Sequence, residues 1–71
     1  MKQLTARQLQ KELNIRGWSF VRMRDGSHMQ FKKVGVPNLI TIPVHGARPI
    51  RPGLLRKILR DAGISPSELE S

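Results

Sequence analysis

Apolar residues recur at helical spacing near both ends of the chain and at strand spacing between them, and this order of periods limits what the chain can build. Leu55, Ile58, Leu59 and Ala62 stand at i, i+3, i+4 and i+7, with Arg56, Lys57, Arg60 and Asp61 facing away. Pro52 suits a first helical position and Gly63 the left-handed residue that ends a helix, so a helix is predicted over residues 52–62. Toward the N-terminus, Ala6, Leu9 and Leu13 share one stripe. Thr5 is the predicted N-cap, Gln8 its capping-box partner and Leu4 a staple onto Leu9; with Gly17 as terminator this gives a helix over residues 5–16.

Between the helices the period falls to two. Residues 18–24 are a β-rich run, Asp25-Gly26-Ser27 is turn chemistry, and residues 28–32 alternate polar with apolar, so the two runs form a hairpin. Gly35 and Pro37 mark residues 33–38 as a loop. Residues 39–44 follow as a third strand, with Ile40, Ile42 and Val44 on one side and Thr41 on the other. Ser65-Pro66-Ser67-Glu68 reads as the capping box of a last turn that holds Leu69. The predicted fold is α+β in the order α-β-β-β-α, a three-stranded antiparallel sheet with two helices on one face and the other face wet. Its 71 residues suffice for one domain over 1–71 and leave no room for a cofactor domain.

Hairpin register decides which side chains share the wet face. A two-residue loop would oppose Met23 to His28 and mix charged with apolar residues. A loop of residues 25–27 opposes Arg24 to His28, Arg22 to Gln30, Met23 to Met29 and Val21 to Phe31, and so separates the faces. The predicted core is then Val21, Met23, Met29, Phe31, Ile40 and Ile42; the open face holds Arg22, Arg24, His28, Gln30, Lys32 and Thr41. Trp18 and Phe20 fall on the polar side by this count. Either a bulge turns them inward or they form a partly exposed platform.

Charge narrows the partners. Thirteen Lys/Arg against five Asp/Glu give a formal +8, spread from Lys2 to Arg60. Such a surface attracts polyanions, nucleic acid first, an acidic protein second and an anionic membrane third. No stretch approaches the roughly 20 apolar residues of a spanning helix and no signal-peptide pattern opens the chain, so a cytoplasmic protein is expected. With no Cys there is no disulfide, no thiolate nucleophile and no sulfur-bound zinc. Glu12, Asp25, Asp61, Glu68 and Glu70 fall on helices, a turn tip or the tail, which argues against a two-metal nuclease, and no cofactor is expected.

His28 is the candidate reacting group. Neighbouring cations disfavour a second positive charge, and a neutral imidazole accepts a proton. With RNA across the open face, Arg22, Arg24 and Lys32 would hold a phosphate while His28 takes the proton of the adjacent ribose 2′-hydroxyl. Gly26 and Ser27 shape the turn beside it, and Ser27 has a hydroxyl to offer the phosphate. Arg48 and Arg51 are read as RNA-binding at the entry to the second helix, because Arg51 is a poor N-cap and leaves helix amides free for an anion. The bland alternatives are a solvated strand histidine and a solvated basic helix face. His45 is either a second proton carrier or, preferably, a turn residue.

Several of these stretches, taken in order, resemble the HicA family of toxins. They are Gly17-Trp18, then Arg24-Asp25-Gly26-Ser27-His28 leading to Phe31, then Ile42-Pro43-Val44-His45-Gly46, then Pro52-Gly53-Leu54-Leu55-Arg56-Lys57-Ile58-Leu59 and Ala62-Gly63-Ile64-Ser65. The resemblance runs from about Leu4 to Leu69. It implies a fold like the double-stranded RNA-binding domain, mRNA interferase activity with His28 catalytic, and a cognate HicB-type antitoxin, expected to be acidic where it meets the toxin. Many members carry a second histidine where this chain has Met29; the register points Met29 into the core, so the departure leaves the reacting group in place.

The first expectation is a metal-independent endoribonuclease toxin. A non-catalytic RNA-binding module of the same fold predicts salt-sensitive binding without scission. A purely structural basic subunit of a ribonucleoprotein predicts no growth arrest on expression.

Overall fold

In a computed structural model that describes residues 3–69, the elements follow the order α1 (Ala6–Ile15), β1 (Ser19–Arg24), β2 (His28–Lys33), β3 (Val36–Pro43), α2 (Pro52–Ala62) and a 3-10 turn, Pro66–Leu69. Lys2 and Glu70 lie outside the described residues. The strands form one antiparallel sheet in the order β1-β2-β3. Leu9 and Leu13 of α1 and Leu55, Ile58 and Leu59 of α2 share one buried cluster with Met29, Phe31, Ile40 and Ile42, so both helices cover the same face. The α-β-β-β-α arrangement with an open sheet is the one expected.

Local chemistry explains the helix ends. The Thr5 N–H donates to Gln8 Oε1 at 2.9 Å and the Gln8 N–H to Thr5 Oγ1 at 3.3 Å, a complete capping box. At its far end Trp18 N–H reaches Leu13 O at 3.0 Å and Gly17 N–H reaches Asn14 O at 3.2 Å, with Gly17 at φ 94. These are the two bonds of a Schellman stop, which needs a left-handed residue. Gly63, at φ 72, ends α2 the same way through Ile64 N–H to Leu59 O at 2.8 Å.

The first hairpin pairs Arg24 with His28, Met23 with Met29 and Arg22 with Gln30, the expected register. Asp25 and Gly26 both have positive φ and Ser27 N–H donates to Arg24 O at 3.2 Å, the geometry an Asp-Gly turn favours. Ser27 is the additional residue, left out of the β1-β2 ladder.

Four expectations are corrected. Val21 does not face Phe31: a bulge between Phe20 and Arg22 makes Phe20 the partner of Phe31, in edge-to-face contact with ring centroids 5.8 Å apart. The same bulge resolves the two aromatics, since Trp18 is buried in the core and Phe20 turns toward it while staying partly exposed. Met23 is 46% exposed and Val21 only half-buried, because β1 is an outer strand of the sheet. Residues 33–38 are not a loop. β3 begins at Val36, which pairs with Lys33 around a tight turn, and Pro37 is accommodated because β3 is also an outer strand with an irregular stretch there. Finally, β3 ends at Pro43, and Val44 packs against the core from beyond it.

Candidate functional site

His28 is the first residue of the central strand, opposite Arg24 on β1 and Pro43 on β3. Period-two alternation puts it on the helix-free face with Gln30 and Lys32. It is half-buried, and its Nδ1 lies 3.0 Å from Ser27 Oγ. Ser27 is available for this contact because it is the extra residue of the turn, and it is itself anchored: Val44 N–H donates to Ser27 O at 2.7 Å. With Nδ1 engaged, the ring directs Nε2 away from the turn.

On the β3 side, His28 opens onto a cleft of about 710 Å³. Thr41, Pro43 and Leu54 give it walls, and His45, Arg48, Arg51 and Lys57 give it charge and exchangeable protons. The residue 44–51 connection carries these groups around the end of β3 to the start of α2. It is held in place by Ile50 N–H to Leu4 O at 2.7 Å, by the Thr5 to Pro49 bridge and by burial of Ile50. Arg48 N–H donates to His45 O at 3.1 Å and Gly46 has φ 59, so residues 45–48 form a turn, as expected for His45. Arg51 is the N-cap of α2 and makes no side-chain capping bond, with Pro at the first helical positions and no acidic residue in the first turn. The first helical bond is Leu55 N–H to Arg51 O at 2.8 Å, so the amides of Gly53 and Leu54 have no intrahelical acceptor.

Two basic sets flank His28. Arg22, Arg24 and Lys32 share the open sheet face with it; Arg48 and Arg51 share the cleft. The fold thus joins what the sequence offers as alternative RNA-contact regions. Arg24 has an exposed partner in Asp25 at 3.7 Å, whereas no ion pair among the described residues holds Arg22, Lys32, Arg48 or Arg51. Gly26 stays at the turn tip, exposed and away from the cleft lining. Lys57, read from sequence as a solvated helix residue, lines the cleft and pairs with Asp61 at 3.4 Å. Its spacing three residues after Leu54 was the available signal. Gln30 faces the open side as expected yet is 6% exposed, covered by its neighbours, with Nε2 donating to Thr41 Oγ1 at 3.3 Å.

None of the described carboxylates lines the cleft. Glu12 binds Arg16 at 2.7 Å on α1, Asp25 is at the hairpin tip and Asp61 faces Lys57 from the outer helix surface. Among the described residues no three His, Asp or Glu converge. Nor is any described helix long and apolar enough to cross a membrane. The arrangement brings two imidazoles and several cations together around a cleft that no negative side chain lines among the described residues.

Comparison with curated proteins returns no match. Comparison with family models matches residues 6–64 to the HicA toxin of bacterial toxin-antitoxin systems. The matched segment runs from the first residue of α1 to the residue after the Gly63 stop and contains the hairpin, His28 and the whole cleft. Most of the 71-residue chain is covered, and the chain belongs to the HicA toxin family.

Proposed function

We propose that this toxin is an endoribonuclease that cuts mRNA in the cytoplasm, with His28 as general base and no required metal. In the tautomer whose Nδ1–H donates to Ser27 Oγ, Nε2 carries the free lone pair and takes the proton of a ribose 2′-hydroxyl. The 2′-oxygen then attacks the adjacent phosphorus, the bond from phosphorus to the 5′-oxygen breaks, and the products are a 2′,3′-cyclic phosphate and a 5′-hydroxyl. Arg48 and Arg51 hold the scissile phosphate and stabilise charge on its non-bridging oxygens, helped by the free amides of Gly53 and Leu54. Arg22, Arg24 and Lys32 guide the neighbouring strand over the sheet, with Gly26 and Ser27 giving it a close approach at the turn.

One observation carries this reading: His28, oriented by Ser27, opens onto the same cleft as two arginines that have no ion-pair partner among the described residues. A toxin of this kind has an antitoxin. A HicB-type partner with an acidic surface laid over the cleft would neutralise the arginines and occlude His28 together.

The test is cleavage of a defined mRNA by the purified chain in excess EDTA, compared with His28→Ala. The parent should cut under chelation and the variant should lose on the order of a hundredfold to ten-thousandfold in rate. A correctly folded variant that cuts at the parental rate would refute the base assignment. Loss of cutting in EDTA with recovery on magnesium would refute metal independence. Salt-sensitive binding with no scission by the parent would favour the binding module.

A further inference from the structure

We propose that His45 is the proton donor to the leaving 5′-oxygen, the acid counterpart of His28. This inference rests on the ribonuclease reading and adds the half of the reaction which that reading leaves open, since an alkoxide leaving group departs readily only when protonated.

The placement follows from three connections. Ser27 and Val44 are joined by a 2.7 Å backbone hydrogen bond, and His28 and His45 are the residues that follow them in the chain. One backbone bond therefore links the two segments from which the rings project. Both residues line the same cleft, as does Pro43, the ladder partner of His28 two positions before His45. The turn after His45 is closed by Arg48 N–H to His45 O at 3.1 Å, which fixes the backbone that carries the ring. The His45 side chain itself makes no hydrogen bond among the described residues and is exposed, so the ring is available to a bound strand.

Chemistry selects His45 among the cleft residues. Guanidinium groups do not release protons to a leaving group, and Lys57 is engaged by Asp61. Imidazole is the side chain that both holds and gives up a proton near neutrality. The step balances without a co-reactant. Nε2 of His28 gains the 2′-hydroxyl proton as the oxygen bonds to phosphorus; the bond to the 5′-oxygen breaks with its electron pair, and that oxygen takes a proton from the His45 imidazolium. His28 ends protonated and His45 neutral, and exchange with water resets the pair.

A leaving group that needs no proton separates donation from any other role. The parent, His45→Ala, His45→Gln and His28→Ala are assayed on an oligoribonucleotide with one cleaved bond, and on the same oligonucleotide with sulfur replacing the bridging 5′-oxygen at that bond. His45→Ala and His45→Gln should be slowed on the order of a hundredfold on the oxygen substrate and should match the parent on the sulfur substrate. His28→Ala should be slow on both. Slow cutting of both substrates by His45→Ala, parental cutting of both, or recovery of the oxygen rate by Gln would each overturn the assignment. Parental cutting by His28→Ala overturns the underlying reading instead. Far-ultraviolet circular dichroism and thermal midpoints of the variants confirm that each rate belongs to a folded chain.

Discussion

Ser27 contributes one side-chain contact, at 3.0 Å to the His28 ring, and stands outside the strand ladder. Its removal should therefore alter reactivity without unfolding the protein. A net hydrogen bond of about 1 kcal/mol corresponds to roughly a fivefold effect, so Ser27→Ala should lower the cleavage rate by about that factor. Its thermal midpoint should stay near the parental value, and a shift of many degrees would show that Ser27 matters to the fold instead. Phe31 stands at the other extreme, being fully buried at the centre of the sheet and in edge contact with Phe20. Phe31→Ala should cost about 3–5 kcal/mol in denaturant unfolding. A residue total this large is a substantial part of the stability of any small domain.

At the scale of elements, the ends of helices carry stability that the core does not. Thr5→Ala removes the hydroxyl acceptor of the capping box and should destabilise the fold by about 1 kcal/mol. Gly63 has open space where a Cβ would go, so Gly63→Ala meets no clash and its cost, about 1–2 kcal/mol, comes from the left-handed backbone at φ 72 alone. Both are checked by urea unfolding with an unchanged slope. These two helices were legible in the sequence because their stripes, caps and stops are all local. The strands were less so. Pro37 and Gly35 suggested a loop, but an outer strand tolerates a proline, and only the sheet order reveals that β3 is one. The core positions of Val21 and Met23 failed for a related reason. Alternation gives a face, while burial also needs a neighbour above it, and a bulge resets the count. The basic sheet face and the helix entry were each visible, but the cleft that brings the helix entry up to His28 depends on the path of residues 44–51, which no local pattern encodes.

At the scale of the molecule, Arg22, Lys32, Arg48 and Arg51, which have no ion-pair partner among the described residues, lie along the sheet face and around the cleft, so association with RNA should depend steeply on salt. For single strands each neutralised phosphate adds about 0.7 to the slope of log affinity against log salt. Arg51→Gln should weaken binding of all sequences alike and reduce that slope by about 0.7. A change confined to particular sequences would mark Arg51 as a base reader. Binding is best followed with His28→Ala, so that the transcript survives the titration.

The bulge at Val21 also governs what the outer edge of β1 offers to a neighbouring strand. A straight outer strand is a template on which other sheets crystallise into aggregates, and kinks and charges are the usual defences. β1 has both, a break between Phe20 and Arg22 and then Arg22 and Arg24 along the remainder. Deleting Val21 would straighten this rim and lengthen the uninterrupted ladder it offers, and the deletion variant should scatter light at concentrations where the parent stays clear.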